Sequence, residues 1–240
     1  MGSVTAQRLT AEAIGTAMLV FFAVGSLITA GGQAFVGAIA LLVTAAVVFW
    51  IFGGHFNPWI TLATAIRGTL DWLGAAAIIV AQLLGGIVGA LLLWAVLGSR
   101  GAASGLGVTR LAPDIADTGG RGLIGAILAE TLAVFLLCCV VFALTGNGTG
   151  GNVGIGMGLA YAAGTLAIFV ITAASMNFAR TLGTEVVLLV AGETPDWPGF
   201  GKIWVYAVSG LLGAALAGLL YPLWRPDPVP AAQDPVPETE

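Results

Sequence analysis

The chain has 240 residues, 58% of them hydrophobic and 8% charged, with a net charge of −4 and a mean hydropathy of +1.02. A soluble domain carries about 25% charged residues, so this chain cannot cover itself with a polar surface and reads as an integral, multi-pass membrane protein. No basic block is present to hold nucleic acid.

After a short polar start, Leu9 to Ala30 forms the first apolar span, interrupted by Glu12. Gly31-Gly32-Gln33 is a tight turn, and Ala34 to Phe52 is a second span without charge. The run Trp59 to Ile66 is too short to cross a bilayer, which needs about 20 residues. Trp72 to Leu97 is the third long span. Residues 98–121 carry Arg100, Arg110, Asp114, Asp117 and Arg121 and read as a solvated loop. The fourth span, Leu123 to Thr145, holds Glu130 near its start. It also holds Cys138 and Cys139, adjacent residues that diverge by about 100° on a helix and read as core rather than as a disulfide. The fifth span is Val153 to Ala174, followed by a short run ending at Ala191, a polar turn, and the sixth span, Ile203 to Trp224. The tail, 225–240, holds five of the ten prolines and four acidic residues and is expected to be disordered.

Two short stretches organise this pattern. His55-Phe56-Asn57-Pro58-Trp59 and Ser175-Met176-Asn177-Phe178-Ala179-Arg180 each follow a long apolar run and precede a short one. Asparagine is a good N-cap, and proline is the preferred first helical residue. Each stretch therefore predicts a half-helix that starts inside the membrane with its N-terminus at a pore. Ala11-Glu12 corresponds to Ala129-Glu130 at an offset of 118, and Asn57 to Asn177 at an offset of 120. Each half, about 9–98 and 122–224, reads span, span, half-helix, span. Three crossings is an odd number, so the halves lie in opposite orientations as an inverted repeat, with sites expected near the midplane.

Gly85-Gly86-x-x-Gly89 and Gly154-x-x-x-Gly158 fit close helix contacts rather than phosphate loops. His55, the only histidine, is too isolated for a metal site. No set of nucleophile, base and metal ligands occurs, so neither an enzyme nor a cofactor is expected. The loop charges do not favour a cytoplasmic N-terminus.

The chain resembles the aquaporin family, the major intrinsic proteins, in Ala11-Glu12-x-x-Gly15-Thr16, Gly53-Gly54-His55-Phe56-Asn57-Pro58 and Ser175-Met176-Asn177-x-Ala179-Arg180. Both half-helices of that family start with Asn-Pro-Ala, whereas here one starts Asn-Pro-Trp and the other Asn-Phe-Ala. The resemblance covers about residues 7–224. It implies an all-α bundle of six transmembrane helices and two re-entrant half-helices over 1–224. It also implies cytoplasmic termini, a homotetramer in the plasma (inner) membrane, and one pore per subunit for water or small uncharged solutes. On that resemblance Asn57, Asn177, Arg180, Thr165, Ala174 and His55 line the pore. Pro58, Trp59, Phe178 and Ala179 form the half-helix junction, while Glu12 and Glu130 support the loops. The fourth position of the constriction lies between Gly37 and Val43. Thr165 and Ala174 are small and imply a wider filter than a strict water channel, while Thr181 stands where glycerol facilitators have aspartate, which weighs against that subgroup.

Two competing readings remain. One is a non-conducting or gated protein of the same fold, blocked by Trp59 and Phe178. The other is an ion-coupled transporter using Glu12 and Glu130 as relay groups. Bulk at the junction costs about 1–3 kcal/mol unless neighbours shrink. The two aromatic rings are therefore expected to meet behind the asparagines, with centroids within about 7 Å.

Overall fold

The computed structural model describes residues 4–117, 120–145, 152–192 and 200–225. The tail beyond Arg225, expected to be disordered, lies outside the described residues. Among the described residues there is no strand, and six helices are long and apolar enough to cross a membrane: Ala6–Thr29, Ala34–Phe52, Trp72–Ala103, Gly120–Thr145, Val153–Thr172 and Ile203–Trp224. Two shorter helices, Pro58–Ile66 and Phe178–Val190, lie between the spans. Large side chains such as Leu73, Val170 and Leu223 are 83%, 78% and 76% exposed. In water this would cost roughly 1.5–3 kcal/mol per side chain; in lipid it costs nothing.

The helix starts follow from capping. Thr5 accepts from Arg8 N, and Asp71 accepts from Gly74 N. Asn57 accepts from Trp59 N, with Pro58 in the first turn. Asn177 accepts from both Ala179 N and Arg180 N. The second span ends on Gly53 in the left-handed region at φ 58°.

The first span lies along the third, the second along the fifth, and the fourth along the sixth. The first half-helix rests on the sixth span, and the second half-helix rests on the third. Each half of the chain therefore holds the half-helix of the other. Gly85 and Gly89 let the first span approach: a Cβ at either would overlap the carbonyl oxygen of Ala13 or Ala17. Gly158 does the same for the second span, at Leu42 O.

Four features differ from the sequence reading. The first span contains a π-helical segment, Val20–Val24, with one wide turn that apolar periodicity does not reveal. The third span continues as helix past Leu97, but only beyond a break at Gly98 (φ 56°, ψ −139°). The fifth span stops at Thr172, because Ala173 and Ala174 turn left-handed at φ 57° and 49°. The segment after Gly98 is not simply a solvated loop. Leu106 and Thr109 are fully buried, Val108 and Leu111 nearly so, and the segment folds back against the bundle with Ala112 N donating to Ile171 O.

Candidate functional site

The two half-helix N-termini meet in the interior of the bundle. Each asparagine is buried, and its Oδ1 caps its own half-helix. Each also crosses to the other loop. Asn57 Nδ2 donates to Met176 O at 2.8 Å, and Asn177 Nδ2 donates to Phe56 O at 2.8 Å. Those carbonyls belong to the residue just before the opposite asparagine. Phe56 and Met176 both stand at φ 51°, a left-handed turn that aims the carbonyl across the junction. Such a backbone conformation is strained for residues with side chains and persists only where the surroundings hold it.

The two glutamates provide that hold. Glu12 Oε1 accepts from His55 N at 2.9 Å, and Oε2 accepts from Phe56 N at 2.7 Å. Glu130 Oε1 accepts from Ser175 N at 2.8 Å, and Oε2 from Met176 N at 2.9 Å. The same two backbone donors, two and one residues before each asparagine, are thus satisfied by a carboxylate from another helix. Buried donors in lipid need such partners. Gln82 Nε2 adds to Glu12 Oε2 at 2.9 Å, and Arg8 pairs with Glu12 Oε1 at 2.8 Å. Thr172 Oγ1 adds to Glu130 Oε1 at 2.6 Å. His55 Nδ1 lies 3.0 Å from Thr61 Oγ1, within the Glu12 and Gln82 group.

On the Arg180 side of the junction a narrow cavity of about 30 Å³ is lined by Gly37, Thr165, Ala174, Asn177 and Arg180, with Leu19, Ala23 and Val24 from the π-helical region. A water needs about 10–15 Å³ by this measure, so the cavity has room for about two or three. Gly37 is thus the second span's contribution at the level of Thr165, and Leu41 follows one turn on. Thr165 Oγ1 and Arg180 Nη1 have no hydrogen-bond partner among the described residues, although both side chains are buried. Both residues line this cavity. The narrow cavity shares Leu27, Phe169, Ala173 and Arg180 with a vestibule of about 410 Å³. Ser104, Gly107, Val108 and Arg110 of the folded-back segment form part of that vestibule's wall. His55 and Asn57 are not on the narrow cavity's lining.

The rings of Trp59 and Phe178 meet with centroids 5.6 Å apart and planes tilted by 49°. Neither residue lines the narrow cavity. Room for the indole comes from the sixth span, where a Cβ at Gly210 would overlap the Trp59 ring. Trp59 O also accepts from Cys138 Sγ at 3.7 Å. Gly210→Val should therefore destabilise the protein by about 1–3 kcal/mol through overpacking, and adding Trp59→Ala should recover part of that loss. Detergent melting curves of the two single variants and the double variant check this; strictly additive losses would show that the two sites do not share a volume.

Three contributors were not singled out in the sequence. Gly210 carries no motif. Gln82 is a lone polar residue inside an apolar span, a signal that pointed to a buried hydrogen-bond role. Tyr161 bridges the two asparagines, and it stands four residues before Thr165, on the same helix face.

This arrangement of six spans, two half-helices capped by crossed asparagines and an arginine beside a small cavity defines a membrane channel fold. The sequence profile of the Major intrinsic protein family matches residues 3–221, and the chain belongs to that family. It is similar to Aquaporin TIP2-3 of Arabidopsis thaliana, with 32% identity over 228 residues, 88% of this chain and 84% of that protein. It is similar to Glycerol uptake facilitator protein-like 6 of Lactiplantibacillus plantarum, with 31% identity over 217 residues, 88% of this chain and 94% of that protein. The fold matches the aquaglyceroporin from Plasmodium falciparum at a TM-score of 0.76 and 19% identity, covering 90% of this chain and 94% of that one.

Proposed function

We propose that the protein is a passive channel for water and small uncharged solutes, with its selective point at Gly37, Thr165, Ala174 and Arg180. The observation that carries this reading is the meeting of two half-helix N-termini beside a narrow cavity that includes Arg180. Each helix N-terminus is equivalent to about +0.5 charge, and Arg180 adds a full one, so cations meet a barrier at two levels. Neutral solutes meet a free guanidinium N–H and a free threonine hydroxyl in place of lost water contacts. The small side chains at three of the four positions favour solutes somewhat larger than water. Width and lining donors are what select in such pores.

The ion-coupled alternative finds little support. Both Glu12 and Glu130 are committed to backbone N–H groups of the loops. A blocked pore is not supported by Trp59 and Phe178, which pack against each other away from the narrow cavity. We further read residues 1–224 as one channel domain built of two inverted repeats, about 9–98 and 122–224, supported by the matching carboxylate and asparagine bonds in each half. The family resemblance supports a homotetramer in the plasma (inner) membrane with cytoplasmic termini and no catalytic role. An apolar groove of about 470 Å³ between the first two spans, lined by Met18, Phe22, Ile39 and Val43, is compatible with side chains of a neighbouring subunit.

Proteoliposomes equilibrated in urea, glycerol or sucrose and then shocked osmotically test the solute range. Urea and glycerol should enter faster than in protein-free liposomes, and sucrose should not. Entry of sucrose, or exclusion of every solute including water, would sink this reading.

A further inference from the structure

The two junction asparagines have no amide proton left for a solute. Asn57 Nδ2 donates to Met176 O and, at 2.8 Å, to Tyr161 Oη. Asn177 Nδ2 donates to Phe56 O and, at 3.3 Å, to Tyr161 Oη. A side-chain amide has two N–H donors, so both amides are fully engaged. Two of the bonds end on loop carbonyls and hold the junction together. The other two end on a single phenol oxygen, which accepts both, as the oxygen of a passing water or alcohol would.

Tyr161 is 1% exposed and belongs to the fifth span. It lines the narrow cavity together with Asn177, while Asn57 does not. The cavity reaches the phenol from the Arg180 side, and Asn57 lies on the phenol's other hydrogen bond. We propose that Tyr161 closes the pore at the midplane by occupying the solute's place on Asn57 and Asn177, and that solutes pass when the ring leaves both amides. The proposal rests on the channel reading above. Tyr161 thereby sets the conduction rate and the size of solute admitted, in series with the level of Thr165 and Arg180.

No charge or covalent bond holds the ring. Two neutral hydrogen bonds bias the closed state by roughly tenfold to a hundredfold, and the packing of the ring in the buried cluster adds to that bias. The ring also fills space, so the two properties separate in different variants. Tyr161→Phe removes the oxygen and keeps the ring. Tyr161→Val removes both.

Osmotic water flux per reconstituted protein is measured for the parent and both variants at matched protein content, with protein-free liposomes as baseline. Tyr161→Phe should conduct several times faster than the parent from the loss of both bonds, and Tyr161→Val about tenfold or more because the ring is gone as well. Tyr161→Val should also gain glycerol uptake relative to water. Parent flux above baseline but below that of both variants supports the proposal. Equal flux above baseline in all three proteins overturns the gate and leaves the channel reading standing. Flux at baseline in all three overturns the channel reading and the gate with it. A lower melting temperature with unchanged flux is what a purely structural phenol gives, and it overturns the gate. Should Tyr161→Val not fold, a folded Tyr161→Phe no faster than the parent is sufficient to overturn it.

Discussion

Glu130→Ala should remove most of the folded protein from detergent extracts. The carboxylate satisfies Ser175 N, Met176 N and the Thr172 hydroxyl, and the whole group is buried. Each buried donor left without a partner costs about 1–3 kcal/mol, so orphaning the two loop N–H groups costs on the order of 2–6 kcal/mol, while the Thr172 hydroxyl keeps Ile168 O as an acceptor. A typical protein has only about 5–15 kcal/mol of stability in total. The consequence is local first: Met176, at φ 51°, loses the contact that holds its carbonyl towards Asn57. Glu130→Gln keeps the shape but replaces one acceptor with a donor facing a donor, so its loss should be intermediate. The corresponding Glu12→Ala should be milder, because Gln82 already bonds Thr61 Oγ1 and stays close to the loop. Detergent thermal melting with size-exclusion monitoring orders the three variants. Glu130→Ala melting within a few degrees of the parent would show that the loop does not depend on the carboxylate.

Arg180→Ala should change what passes far more than how fast water passes. The guanidinium sits at the boundary between the vestibule and the narrow cavity. Its removal takes away bulk at the narrowest level and a fixed charge. A unit charge opposes a cation at 4 Å by about 4 kcal/mol at an effective dielectric of 20, which corresponds to roughly a thousandfold in rate. The half-helix termini still repel cations, so the variant should leak ions rather than conduct them freely. Glycerol uptake should rise severalfold, while water flux should change by less. Unchanged solute reflection and unchanged ion leak in the variant would remove Arg180 from the selective point.

Much of this arrangement was legible because it is written in spacing. Asn57-Pro58 announced a helix start inside an apolar region, and the six spans follow from runs of apolar residues. Glu12 and Glu130 stood at nearly the same offset as the two asparagines, and each carboxylate meets the loop before the asparagine of its own half. The end of the third span at Leu97 coincides with the break at Gly98.

What the sequence did not carry depends on how distant elements meet. Gly37 could not be told from its neighbours up to Val43, since only the register of the second span against the fifth selects it. The segment from Ser104 to Leu111 has loop composition, yet Leu106 is buried in a cluster with Val20, Val24 and Leu93, and Thr109 Oγ1 donates to Thr181 Oγ1 at 3.2 Å. The π-helical turn leaves no mark in apolar periodicity. Tyr161 was missed because a lone tyrosine in an apolar span does not reveal which groups its hydroxyl will reach. The competing reading, in which Trp59 and Phe178 obstruct the pore, looked to the altered motifs, whereas the two rings meet each other as expected, with room for the indole left by Gly210. The group that stands on both asparagines comes instead from the fifth span.

The central claim is that solute passes down its own gradient through the junction of the two half-helices. Stopped-flow osmotic response of proteoliposomes containing the parent or Tyr161→Phe, with and without imposed proton and potassium gradients, tests it most directly. The account predicts water flux above protein-free liposomes that does not change with either gradient and is accompanied by no ion current. Flux that requires a gradient, a measurable ion current, or no flux in either protein would contradict it.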